Sequence, residues 1–201
     1  MHISTMTGKL EGLRAVSTNT ITNPFCVRQN ACGIADNICT KCYSHTMLKS
    51  YRKNMQPALE RNSVLLSSSV LALSEIPFLN DAILRVNAHG ELINETHLHN
   101  IVQIASVNPH CIVTLWTKRK DIVTKYFDVN DKPTNLILIF SNSKINNIMP
   151  KPPKYFDKTF NNVAEDLFVD RQNCTGQKCK DCRLCYSHNN TDTIVEKVKK
   201  Y

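Results

Sequence analysis

The residues best able to do chemistry are the cysteines. The chain has nine in 201 residues, and eight of them fall into two quartets. Cys26, Cys32, Cys39 and Cys42 are spaced C-x5-C-x6-C-x2-C; Cys174, Cys179, Cys182 and Cys185 are spaced C-x4-C-x2-C-x2-C. Two sulfurs three residues apart converge on one point when the chain turns tightly, and the intervening backbone N–H groups then point at them and stabilise their negative charge. The first quartet contains one such step and the second contains two in succession. All-thiolate sites of four ligands suit zinc and iron–sulfur clusters alike. Zinc ribbons and fingers usually present two C-x2-C pairs across a longer loop. The C-terminal run looks more like those that hold iron–sulfur clusters, which favours one or two [4Fe-4S] clusters with zinc as the alternative. Spacing does not say which cysteines share a metal. Cys111 stands apart at the head of the apolar stretch CIVTLW and reads as a buried small hydrophobe.

Disulfides are the poorer reading because the chain reads as cytosolic, where thiols stay reduced. Residues 1–15 hold no apolar block of signal-peptide length. The longest aliphatic run, Leu136 to Phe140, is far short of the roughly twenty residues a membrane helix needs. Lysine and arginine number 25 and aspartate and glutamate 17, a formal charge of +8. Two four-thiolate sites, each about 2− with Zn(II) or [4Fe-4S]2+, would roughly halve that figure, so the basic balance argues only weakly for nucleic acid. Lys41, Lys49, Arg52, Lys53 and Arg61 lie near the first quartet, and Lys178, Lys180, Arg183, Lys197, Lys199 and Lys200 near the second. Phosphate contact is their functional reading; compensation of anionic metal–thiolate sites is the plainer one.

The elements that must position these groups follow from periodicity. One domain is expected over residues 1–201: an N-terminal cysteine-rich segment (1–55), a βα core (56–150) and a C-terminal cysteine-rich segment (151–201). Residues 1–25 read as loop with a short strand, and 26–42 as an irregular loop, with a helix beginning near 39–41 that places Cys42 in its first turn. Pro57 suits the first turn of a second helix bearing Leu59, Asn62, Leu65 and Leu66 on one face. Strands are expected at 82–86, 111–116 and 136–140, with a helix capped by Asn94 and another over 120–127 between them. Their spacing fits consecutive βα units of a parallel sheet, an α/β fold. A further strand is expected within 156–170 and a closing helix from Thr193, where Thr193 and Glu196 are spaced as a capping box.

Ligands of parallel α/β sheets bind at the carboxyl ends of strands. Just beyond those ends stand Asn87, His89 and Glu91, then Thr117, Lys118 and Arg119, then Ser141, Asn142 and Ser143. Of these, His89, Asn87, Lys118, Ser141 and Asn142 are the candidates for a small anionic or nucleotide ligand. His97 and His99 read as solvated on the outer side of their helix. Trp116 reads as core, with stacking on a ligand as the alternative. No residue is singled out as catalytic.

The chain resembles the gene-product-88-like, cysteine-rich proteins of bacteriophages and prophages. The resemblance rests on Asn23-Pro24-Phe25-Cys26, Ile38-Cys39-Thr40-Lys41-Cys42-Tyr43, Glu60-Arg61-Asn62, the strand end Arg85 to Glu91, Leu115-Trp116-Thr117-Lys118, and the closing Cys179 to Tyr186. It implies a partial (βα) barrel of the kind seen in radical-SAM enzymes, a barrel-like parallel sheet with cysteine-rich N- and C-terminal segments near its mouth. The chain departs from the radical-SAM pattern: it has no C-x3-C-x2-C triplet and no Gly-Gly motif after a strand. The function expected is an iron–sulfur protein of redox or radical-SAM-like role in the host cytosol. The alternative is a zinc-stapled nucleic-acid-binding module without catalysis.

Overall fold

The computed structural model describes residues 1–164, 170 and 172–198. A hairpin of two short strands opens the chain, β1 (Ser4–Thr5) and β2 (Arg14–Val16). Helices α1 (Pro24–Ala31), α2 (Tyr43–Lys49) and α3 (Gln56–Ser68) follow. Strand and helix then alternate as β3 (Ile83–Val86), α4 (Glu95–Val107), β4 (Ile112–Thr117), α5 (Lys120–Phe127) and β5 (Leu136–Ile145). Next come β6 (Lys158–Val163), a single helical turn at Cys179–Cys182, and β7 (Thr193–Lys197). All seven strands form one sheet in the order of the chain, with β1 antiparallel to β2 and every later pair parallel. Neighbour-to-neighbour parallel crossovers are the connectivity of a (βα) barrel. The sheet curls far enough that Lys9, in the turn between β1 and β2, reaches Glu196 on β7. Among the described residues no helix is long and apolar enough to cross a membrane.

The sheet buries both faces, as the unalternating run Leu136–Phe140 requires. Leu84, Val86, Val113, Leu115, Leu136 and Leu138 pack outward against Leu98, Ile101 and Ile104 of α4 and Ile122 and Val123 of α5. Ile83, Trp116, Ile137, Ile139 and Ile194 face inward, where they meet Leu13, Cys174, Cys185 and Tyr186. The C-terminal cysteine segment is therefore packed onto the inner face of the sheet. Each fully buried Leu or Ile contributes about 1.5–3 kcal/mol, so the cysteine loop is anchored by the same packing that closes the core.

Several local expectations are corrected. Residues 26–42 are not one irregular loop. Asn23 accepts hydrogen bonds from the N–H groups of Phe25 and Cys26, and Pro24 pre-sets the first turn, so Cys26 lies in α1. Ile38–Lys41 forms a 3-10 turn, and Cys42 caps α2 instead of lying inside it. The closing segment is a strand. Thr193, Ile194 and Val195 are consecutive β-branched residues that complete a buried sheet edge, and Glu196 turns to Lys9 instead of capping a helix. His97 is fully buried, and half-buried His99 bonds the Tyr126 hydroxyl, so neither is a solvated histidine. Strand β5 runs on to Ile145 and contains Ser141, Asn142 and Ser143, which are not beyond its end. The strand expected within 156–170 is β6; positions 165–169 of that range lie outside the described residues, as do Lys199 and Lys200.

Candidate metal centre and adjoining cavity

The carboxyl ends of β2, β3 and β4 and the inner face of the sheet enclose a cavity of about 760 Å³. Cys26, Cys39 and Cys42 line one part of it, and Cys174, Cys179 and Cys185 another. A smaller cavity of about 20 Å³ lies against it, walled by Cys174, Cys179, Cys182 and Cys185 together with Lys9. Seven of the eight clustered cysteines thus line two adjoining spaces, and Cys32 lines neither. Cys111 is buried in the outer core.

Local hydrogen bonds shape the N-terminal group. The Asn37 side chain accepts from the Cys39 N–H at 2.9 Å, and Asn30 Nδ2 donates to the Cys39 carbonyl at 2.9 Å. Cys32 is exposed, and its sulfur accepts from Asn37 Nδ2 at 3.5 Å. The charges facing Cys26 and Cys39 are Glu91 and Lys118. Glu91 is buried and satisfied by the Leu92 and Lys118 N–H groups, both at 2.8 Å, and by the Thr117 hydroxyl. The Lys118 ammonium donates to Ser141 Oγ at 3.0 Å. Burial opposes its charge, but Cys39, Glu91, Cys42 and Cys26 together outweigh burial and hold its pKa above the usual lysine value. Burial pushes the Cys26 and Cys39 thiols up, with Glu91 adding to the effect and Lys118 opposing it.

A second lysine serves the C-terminal group. Lys9 Nζ donates to Cys174 Sγ at 2.7 Å and pairs with Glu196. Burial works against its charge and is overcome by these two partners. Burial raises the Cys185 thiol to about 12, opposed by the Arg85 guanidinium. Arg85 stacks over Trp116 at 4.2 Å and donates to the Tyr186 hydroxyl at 3.0 Å. Each cysteine group therefore has its own cation beside it.

The donor set fits a soft metal or a cluster: thiols alone, each group beside a cation. Among the described residues, no three His, Cys, Asp or Glu side chains stand close enough to grip one ion as placed. A single zinc gathers its sulfurs at about 2.3 Å, whereas a four-iron cluster brings its own width to thiolates that stand further apart.

The strand-end candidates fall as follows. Asn87, His89, Lys118 and Ser141 line the large cavity. Asn142 is turned into the sheet, donating to Asn161 Oδ1 at 3.0 Å and to the Asn147 carbonyl. Asn87 takes the left-handed conformation (φ 61) that asparagine tolerates, which aims its amide at the Trp116 carbonyl. His89 Nδ1 is bonded to Ser44 Oγ, and its pKa is pushed down to about 4 by burial and then by Arg85 and Arg52. Trp116 is buried and packs edge-on to Phe160. Sequence reasoning passed over Lys9, Ser44 and Arg85. Arg85 had a signal, a lone charge in an apolar strand; Lys9 and Ser44 had none.

Comparison with known proteins gives one result. The family model described as Gene product 88 matches residues 4–174, which includes the whole N-terminal cysteine group and ends on the first cysteine of the second. No curated protein and no solved structure matches significantly.

Proposed function

The chain belongs to the Gene product 88 family, and from that premise we propose that it is an iron–sulfur protein whose two cysteine groups hold [4Fe-4S] clusters on the wall of one binding chamber. One observation carries the reading: cysteines more than a hundred residues apart in sequence line two adjoining spaces, each with a lysine turned toward the thiols. Cys174, Cys179, Cys182 and Cys185 would hold one cluster, and Cys26, Cys39 and Cys42 the core of the other. A bound cluster supplies one-electron chemistry. Lys9 and Lys118 offset the thiolate charge, and the apolar inner face, with Ile137, Ile139 and Trp116, restricts water. Protein purified without oxygen should absorb near about 400 nm and bleach with dithionite. Stoichiometric zinc without iron or sulfide in that material rules the reading out.

The second reading is a zinc-stapled nucleic-acid-binding module. It draws on the four cysteines that wall the one small C-terminal space. The exposed Lys41, Lys49, Arg52, Lys53 and Arg61 would supply phosphate contacts. It requires binding to DNA or RNA that weakens steeply with salt, and absence of binding at low salt dismisses it.

A further inference from the structure

One rim of the large cavity is formed by α2 and the residues on either side of it. Ser44, His45, Met47 and Leu48 turn inward from this helix, and Met47 and Leu48 pack against Leu59 of α3. Lys41, Tyr43 and Arg52 line the cavity and are exposed to solvent, so they stand at its opening. Tyr51 joins them: its hydroxyl donates to the Tyr43 hydroxyl at 3.2 Å. The Arg52 N–H donates to the Met47 carbonyl at 3.0 Å and fixes this segment to α2.

The rim is cationic and unrelieved. From residue 37 to 59 the chain carries Lys41, Lys49, Arg52 and Lys53 and no aspartate or glutamate. None of the four pairs with a carboxylate among the described residues. Glu60, which closes this stretch, accepts hydrogen bonds from Asn19 and Thr22. Lys9 and Lys118 already stand by the thiols, which leaves these four for an anion from outside. Among them stand two tyrosines, Tyr43 at 44% exposed and Tyr51 at 64%. Rings left this open forgo the burial that rewards an aromatic side chain. Cations alone fit any polyanion. Cations interleaved with open rings fit one in which charges alternate with flat apolar rings, as phosphates alternate with bases. In a duplex the bases cover one another's faces, so the partner that can use these rings is a single strand.

We propose that this rim binds single-stranded nucleic acid, with bases stacked on Tyr43 and Tyr51 and phosphates held by Lys41, Lys49, Arg52 and Lys53. The inference rests on the nucleic-acid half of the second reading above and adds to it the form of the ligand and the aromatic contacts. It holds whichever metal the cysteines take.

The test uses the anaerobically purified full chain and the fluorescence anisotropy of a labelled oligothymidylate, with a labelled duplex of equal length beside it, over a range of salt. At low salt the single strand should bind about tenfold more tightly than the duplex, or better. Tyr51→Ala, at an exposed position, should weaken single-strand binding about tenfold and leave the salt slope unchanged, whereas Tyr51→Phe, which keeps the ring, should bind as the wild type does. Arg52→Gln should weaken binding and flatten the slope of log affinity against log salt by about 0.7. Single strand and duplex bound alike, with Tyr51→Ala at wild-type affinity, overturns the single-strand assignment and leaves the nucleic-acid reading standing. Tyr51→Phe as weak as Tyr51→Ala overturns stacking on that ring. Neither probe bound at low salt overturns both the inference and the reading beneath it.

Discussion

Lys9 carries its charge from the first turn of the chain onto Cys174, 165 residues away, at 2.7 Å. Were Cys174 a metal ligand, as proposed, such a partner would be worth about 10–100-fold in metal affinity. Lys9→Met should therefore release C-terminal metal to a chelator about tenfold faster or more, with the N-terminal metal unaffected; equal release from both groups would contradict the assignment. His97 presents a separate titration. It is fully buried in α4, its Nδ1 accepts from the Ile93 N–H at 3.3 Å, and burial lowers its pKa from 6.5 to about 4. The unfolded chain takes up this proton near pH 6.5 and the folded chain only near 4, so protons favour unfolding between those values. Stability is complete above that window and falls by about 3 kcal/mol toward its lower end. His89, lowered to about 4 as well, adds a like contribution, so urea unfolding across pH 7 to 4 should show a combined slope that His97→Gln reduces by about half; identical slopes in the two proteins would refute the attribution.

At the scale of elements, Gly90 joins the end of β3 to the segment after β2. Its φ of +96° disfavours other residues, and an added Cβ would lie 2.6 Å from the Thr18 carbonyl oxygen and collide with the Thr18 hydroxyl. The same two segments are tied by the Thr18 N–H to the His89 carbonyl and by the Thr18 hydroxyl to the Glu91 carbonyl. Gly90→Ala should cost about 3 kcal/mol in urea unfolding by combining backbone strain with overpacking, and a change under about 1 kcal/mol would show that the segments part freely. The βα repeat was legible because its strands and helices have clear, different periods, as in Leu136–Phe140 and the stripe of α4. The closing strand was not: Thr193 and Glu196 match a capping box by type, and only the open sheet edge at β6 decides for a strand. The inward turn of Asn142 was equally hidden, because its partner Asn161 lies on the next strand. Buried asparagines hold several other joints, as where Asn135 donates to the carbonyls of Ala105, Asn108 and Cys111. A polar residue in a buried joint has no periodicity to reveal it.

At the scale of the molecule, the curl of the sheet brings the two ends of the chain together. Lys9 meets Cys174 and Glu196, Lys178 meets Glu11, and Gly12 packs under Lys180. The cysteine quartets were legible as quartets from their spacing. That six of the eight line one cavity was not, since it depends on seven strands pairing in chain order. The central claim is that these thiols bind inorganic clusters instead of zinc, each other or nothing. Iron, acid-labile sulfide and zinc measured per chain on protein purified anaerobically from its own expression host test it most directly. Two occupied sites give about eight iron and eight sulfide per chain with little zinc. A folded protein that holds zinc alone, or no metal with its thiols free or paired as cystines, contradicts it.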